Sequence, residues 1–105
     1  MHLYLVRNGH SKKLPRLIHE YMRRRFGVLP EYLDSLRCFE FESTVNDKAV
    51  MRYRIYSPTK ARQHGVNIDD LSDLEKNPGM LLYEGYIDRE GKAYVADRRK
   101  SLRIK

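Results

Sequence analysis

The chain has 105 residues, 41% hydrophobic and 33% charged, with one cysteine. That length carries one modest domain, and that balance belongs to a globular chain and excludes a disordered one. No apolar run approaches the ~20 residues that cross a bilayer, no charged-then-apolar leader opens the sequence, and a lone cysteine closes no intramolecular disulfide; together these features predict a cytoplasmic protein with no membrane contact.

The net charge of +7 is uneven. Residues 1–64 hold 13 basic and 6 acidic side chains, whereas residues 65–105 hold 8 of each. Such a balance predicts an anionic partner, either nucleic acid or an acidic protein surface.

In chain order, residues 2–7 (H-L-Y-L-V-R) are short, apolar and rich in strand formers, which predicts a strand. Residues 8–11 (N-G-H-S) read as a turn. Next, Leu14, Leu17, Ile18, Tyr21, Met22 and Phe26 recur at helical spacing, while Arg16, His19, Glu20, Arg23 and Arg24 face away. Pro15 suits the first helical position and Gly27 the stop. Arg23, Arg24 and Arg25 complement the negative end of the helix dipole, a structural reason for the triplet that needs no ligand. Residues 30–36 read as a turn of helix or an irregular connection.

Residues 37–56 carry period-two alternation on both sides of Asn46-Asp47-Lys48, the pattern of a half-buried β-hairpin. A three-residue loop sets Phe41 opposite Tyr53 and Phe39 opposite Ile55 on a buried face. Glu40 then meets Arg54, and Glu42 meets Arg52, on the other face. A two-residue Asn46-Asp47 loop sets Phe41 opposite Arg52 and mixes the faces, so the longer loop is the expectation.

Ser57-Pro58 ends the second strand, and residues 59–65 read as a short helical turn. Ile68, Leu71 and Leu74 step by three through a short amphipathic helix over 68–77, led by Asn67, with a loop as the alternative. Residues 80–98 predict a second hairpin in which Gly91 closes the turn, Ile87 faces Ala93, Tyr86 faces Tyr94 and Gly85 faces Val95. The resulting expectation is an α+β fold on the split β-α-β-β-α-β (ferredoxin-like) plan plus an extra edge strand. It has an antiparallel sheet of four to five strands, with one main helix and one short helix on one face. Residues 1–99 form a single domain, and 100–105 a basic tail.

Two short stretches carry family resemblances. Residues 3–11 (L-Y-L-V-R-N-G-H-S) resemble the strand-to-Arg-His-Gly motif of the histidine phosphatase superfamily. Asn8 stands where that family has its phosphorylated histidine, and an amide cannot accept and hand on a phosphoryl group. Leu3-Tyr4-Leu5 resembles the aromatic hexamer of RNA-recognition-motif domains, which share the split plan and stack bases on sheet aromatics. The second signature of those domains falls on residues 48–56, which lack its glycine and spaced aromatics and present Arg52, Tyr53 and Arg54 instead.

What remains is physical. Arg52, Arg54 and Tyr56 alternate onto one sheet face, and a guanidinium beside an aromatic makes a nucleotide platform. Alternatively, Tyr56, Tyr86 and Tyr94 simply cover the sheet while the arginines pair with Glu40 and Glu42. His2, His10, His19 and His64 show no metal-ligand spacing, one cysteine builds no thiolate site, and no motif calls for a cofactor. Cys38, beside Phe39, reads as a small buried or edge thiol.

These residues predict a small basic non-catalytic binding module, first of all for RNA or DNA. The contacts expected are Arg16, Arg23 and Arg24 on the helix, Arg52, Arg54 and Tyr56 on the sheet, Lys60 and Arg62 after it, and Arg98 and Arg99 before the tail. One alternative is a protein-interaction or homo-oligomerising domain that pairs through its edge strand at 92–97 or its tyrosine-rich face. The other is a small ribonuclease-like enzyme in which His64 works with Arg62 and Lys60.

Overall fold

A computed structural model describes residues 4–5 and 11–99, with the backbone alone described at β1 (Tyr4–Leu5). The rest of the expected strand over 2–7, the turn over 8–10, and the tail at 100–105 lie outside the described residues. The helical spacing after Pro15 becomes α1 (Arg16–Phe26), which buries Ile18 and Met22. Pro15 is its N-cap in extended backbone, one position earlier than expected. Gly27 ends it in the left-handed conformation (φ 66°), with its N–H donating to the Arg23 carbonyl. Residues 30–36 hold a helix, α2 (Pro30–Ser35), with proline at its first turn and Leu33 buried beneath it.

The first hairpin joins β2 (Arg37–Val45) to β3 (Lys48–Tyr56). Its turn corrects the expected register. Asn46 and Asp47 both take positive φ (52° and 65°) and reverse the chain in two residues, so Val45 lies opposite Lys48. Two successive left-handed residues make the mirror-image turn whose twist matches the flanking strands, and asparagine and aspartate tolerate that region better than most. Phe41 therefore lies opposite Arg52, Phe39 opposite Arg54, and Glu40 opposite Tyr53. The expected Glu40–Arg54 and Glu42–Arg52 pairs do not form, because those residues point to opposite faces.

The chain continues through α3 (Pro58–Gln63), α4 (Leu71–Glu75) and a short 3-10 turn (Pro78–Met80) into β4 (Tyr83–Ile87) and β5 (Ala93–Asp97). Asp70, not Asn67, caps α4 by accepting from the Asp73 N–H. The second hairpin has the expected register: Ile87 opposite Ala93, Tyr86 opposite Tyr94, Gly85 opposite Val95, with Gly91 at φ 85°.

The core of the fold is a four-stranded antiparallel open sheet, β2 to β5. β1 adds only a two-residue pairing along the outer side of β2, opposite Glu42 and Phe41. The strands lie in chain order, so the ferredoxin-like plan, with its first strand in the middle of the sheet, is not adopted. The reason lies between β3 and β4. α3 and α4 have six and five residues, under two turns each, and cap one end of the sheet instead of running its length. The Leu82 N–H donates to the Ile55 carbonyl at 3.0 Å, which returns the chain beside the strand it left.

The helices also lie on both faces, not on one. α1 and α2 cover the side carrying Cys38, Tyr53, Ile55, Tyr83 and Val95. The α3–α4 segment brings Ala61, Val66, Leu74 and Met80 over Phe39, Phe41 and Tyr56 on the other side. The two phenylalanines thus do not share a face with Met51, Tyr53 and Ile55.

A Cβ on Gly85 would run into the Tyr94 carbonyl oxygen and meet Val95 Cγ2 at 3.0 Å. Gly85→Ala is expected to destabilise the fold by about 1–3 kcal/mol through overpacking, seen as a lower urea midpoint; an unchanged midpoint would contradict this close approach. Asp47→Gly should stabilise the fold by about 0.5–1 kcal/mol, seen as a higher urea midpoint, because glycine relieves the left-handed backbone by more than it loses in entropy on folding.

Candidate nucleic-acid interface

The register of the two hairpins builds one row across the sheet: Phe41, Arg52, Tyr86 and Tyr94, each directly opposite the next. The Arg52 guanidinium carbon lies 5.5 Å from the Tyr86 ring centre, and the Tyr86 and Tyr94 rings are 5.0 Å apart at 30°. Tyr94, on the end strand, is 41% exposed. Among the described residues Arg52 has no carboxylate partner, and its Nε is buried without a hydrogen bond. This row lies on the α3–α4 side of the sheet, and the part with Arg52, Tyr86 and Tyr94 extends beyond the buried cluster those helices cover.

The next row is neutralised. Arg54 sits over Phe41 at 4.9 Å, donates to Glu75 at 2.7 Å and lies 3.7 Å from Glu84. Glu84 also receives Arg98 at 3.1 Å. Tyr56 is buried edge-on to Phe39, and burial pushes its hydroxyl up to about 12. It belongs to the core and offers no stacking face.

The remaining expected contacts are scattered. Arg99 grips Asp97 at 2.8 Å and lies over Tyr83 at 4.8 Å on the α1 side, and the Asp97 hydrogen bond raises its pKa. Arg16 pairs with Glu20 along α1 at 3.3 Å. Arg23 and Arg24 are exposed on the last turn of α1, while Lys60 and Arg62 lie on α3. Arg52 is among the expected contacts, whereas Tyr86 and Tyr94 are expected as cover for the sheet or as part of a tyrosine-rich pairing face; the structure sets both beside Arg52. The signal for them was already present in the Tyr86–Tyr94 pairing.

Glu40, on the α1 side, accepts from Lys12 Nζ and from the Tyr53 hydroxyl, each at 2.8 Å. Cys38 is buried and its thiol is pushed up to about 12 by that burial, which removes it as a nucleophile at neutral pH. His64 ends α3, exposed, and its ring has no hydrogen-bond partner among the described residues. Among those residues no group of three or more histidine, cysteine or acidic side chains is placed to hold a metal ion, and no helix is long and apolar enough to cross a membrane. Compared with family models, with curated proteins and with solved structures, the chain matches none.

Burial raises the Tyr53, Tyr56 and Tyr83 hydroxyls; the bond to Glu40 adds to the effect at Tyr53. A phenol with a raised folded-state pKa is held neutral by the fold. Its contribution is complete below the unfolded pKa of about 10 and is lost as pH rises through the folded value, about 12 for Tyr56. The urea midpoint is therefore expected to fall steadily above about pH 10, in step with phenolate absorbance; a flat midpoint across that window would contradict burial of these hydroxyls.

Proposed function

We propose that the protein binds single-stranded nucleic acid, RNA or DNA, as a non-catalytic module, with its bases stacked on the sheet row of Arg52, Tyr86 and Tyr94. The observation that carries this reading is the arrangement of that row: a guanidinium with no carboxylate partner among the described residues, laid over one tyrosine that leans on a second, exposed one. Every base has a π-face, so such a platform is tolerant of sequence, and an arginine adds cation–π attraction. The net charge of +7 supports attraction of a polyanion. A cytoplasmic location belongs to the same reading, supported by the single unpaired cysteine.

A second reading has one specific observation in its favour. β5 is the last strand of the sheet among the described residues, an edge suited to pairing with another chain or a second copy. Light scattering across a concentration series separates the two readings, since self-pairing predicts a mass that rises toward the dimer.

The deciding measurement is fluorescence anisotropy with a labelled oligonucleotide of about 12 nucleotides. Binding at about 50 mM salt should weaken steeply by 200 mM. Tyr94→Ala and Tyr86→Ala should each weaken it by about 1–3 kcal/mol, roughly 5- to 150-fold. Arg54→Ala, already neutralised, should matter less than Arg52→Ala. Absence of binding to any RNA or DNA strand at low salt would sink the reading.

A further inference from the structure

Tyr94 belongs to two surfaces at once. On one side it leans on Tyr86 across the sheet. On the other it lines a groove of about 250 Å3 between α1 and β5, together with Leu17, Glu20, Tyr21, Arg24 and Lys92. A second groove of about 490 Å3 shares Glu20 and Arg24 with the first and continues past Arg23 to Pro30. The two grooves therefore adjoin, and they begin where the tyrosine platform ends.

The charge along this path is cationic. Among the described residues Arg23, Arg24 and Lys92 have no carboxylate partner. Glu20, the one acid lining both grooves, is engaged by Arg16. The helix dipole alone accounts for arginines at the end of α1. It does not account for Lys92, which comes from the β4–β5 turn and lines the same groove as Arg24.

We infer that the binding site does not stop at the sheet: the strand stacked on Tyr86 and Tyr94 turns round the β5 edge and runs along the α1 groove, where Lys92, Arg24 and Arg23 hold its phosphates. This rests on the proposed function and extends it from a platform to a path. The occupant is a polyanion with planar groups along one chain, because the path joins a stacking surface to a run of cations. Single-stranded nucleic acid fits both parts, whereas an acidic peptide would use the cations and leave the tyrosines idle.

The test is a length series of single-stranded oligonucleotides from about 4 to 16 nucleotides, measured on the wild-type chain and on the triple variant Arg23→Ala/Arg24→Ala/Lys92→Ala. Wild-type affinity should rise with length beyond the shortest strands. The variant should bind the shortest strands like wild type, lose about 10- to 100-fold on the longest, and show a log–log salt slope shallower by about 2, as expected for three lost contacts to a single strand. Charge-preserving Arg24→Lys/Lys92→Arg should keep the length dependence, which separates lost phosphate contacts from misfolding. If the variant keeps the wild-type length dependence and salt slope while short strands still bind, the path is wrong and the platform stands. If wild type binds no strand of any length, the platform falls and the path with it. Loss of poly-glutamate binding by the variant, with oligonucleotide affinity unchanged, would overturn the path in favour of an acidic-protein partner.

Discussion

A turn of two residues decides which side of the sheet every side chain in residues 37–56 occupies. Asn46 and Asp47 hold positive φ in succession, so the strands they join are offset by one position from what a three-residue loop would give. Side chains alternate along a strand, and an offset of one exchanges the faces wholesale. The exchange puts Arg52 and Arg54 among phenylalanines and sends Glu40 to the side of Tyr53. The guanidinium–ring contacts, the Glu40–Tyr53 hydrogen bond and the Arg54–Glu75 pair all follow from that offset.

The mixed face survives because it is only partly covered. α3 and α4 lie over Phe39, Phe41 and Tyr56 at one end of the sheet. There the polar neighbours are brought to match: α4 supplies Glu75 and β4 supplies Glu84, and both meet Arg54. Beyond the reach of those short helices the same face continues with Tyr86 and Tyr94, and among the described residues no carboxylate pairs with Arg52 there. The length of two helices thus divides one sheet face into a closed, charge-matched half and an open, cationic-aromatic half.

The second hairpin was legible in the sequence and the register of the first was not, for a physical reason. In residues 80–98, Gly91 accepts the left-handed position and Gly85 leaves room for the neighbouring strand, so the turn and the register agree. In residues 37–56 the expected register rests on the alternation separating a wet face from a dry one. That inference holds when one face meets solvent. Here both faces are packed: Cys38 and Tyr53 lie under α1, and Phe39 and Phe41 lie under α3 and α4. Alternation then marks a strand without saying which way it faces. The Glu/Arg ladder points to the same register, but opposite charges across a pair are individually worth little and cannot outweigh a turn that matches the strand twist. α1 is legible in the sequence because its apolar stripe is one-sided, which is also why Arg23 and Arg24 face outward as expected.

Arg52 and Arg54 sit two residues apart on one strand and one face, yet the fold's energetics justify only one of them. Arg54 has a ring beneath it and two carboxylates beside it. Arg52 has a ring contact, worth about 0.5–2 kcal/mol. Against that stands a buried Nε with no hydrogen bond, which costs about 1–3 kcal/mol. The two ranges overlap, so the ring contact does no more than roughly offset the buried donor, and an apolar side chain of similar length would serve the sheet about as well at that position. An arginine whose charge the fold leaves unmatched, beside one half-buried and one exposed tyrosine, is the reason the proposed interface centres on Arg52, Tyr86 and Tyr94 and not on the better-connected Arg54.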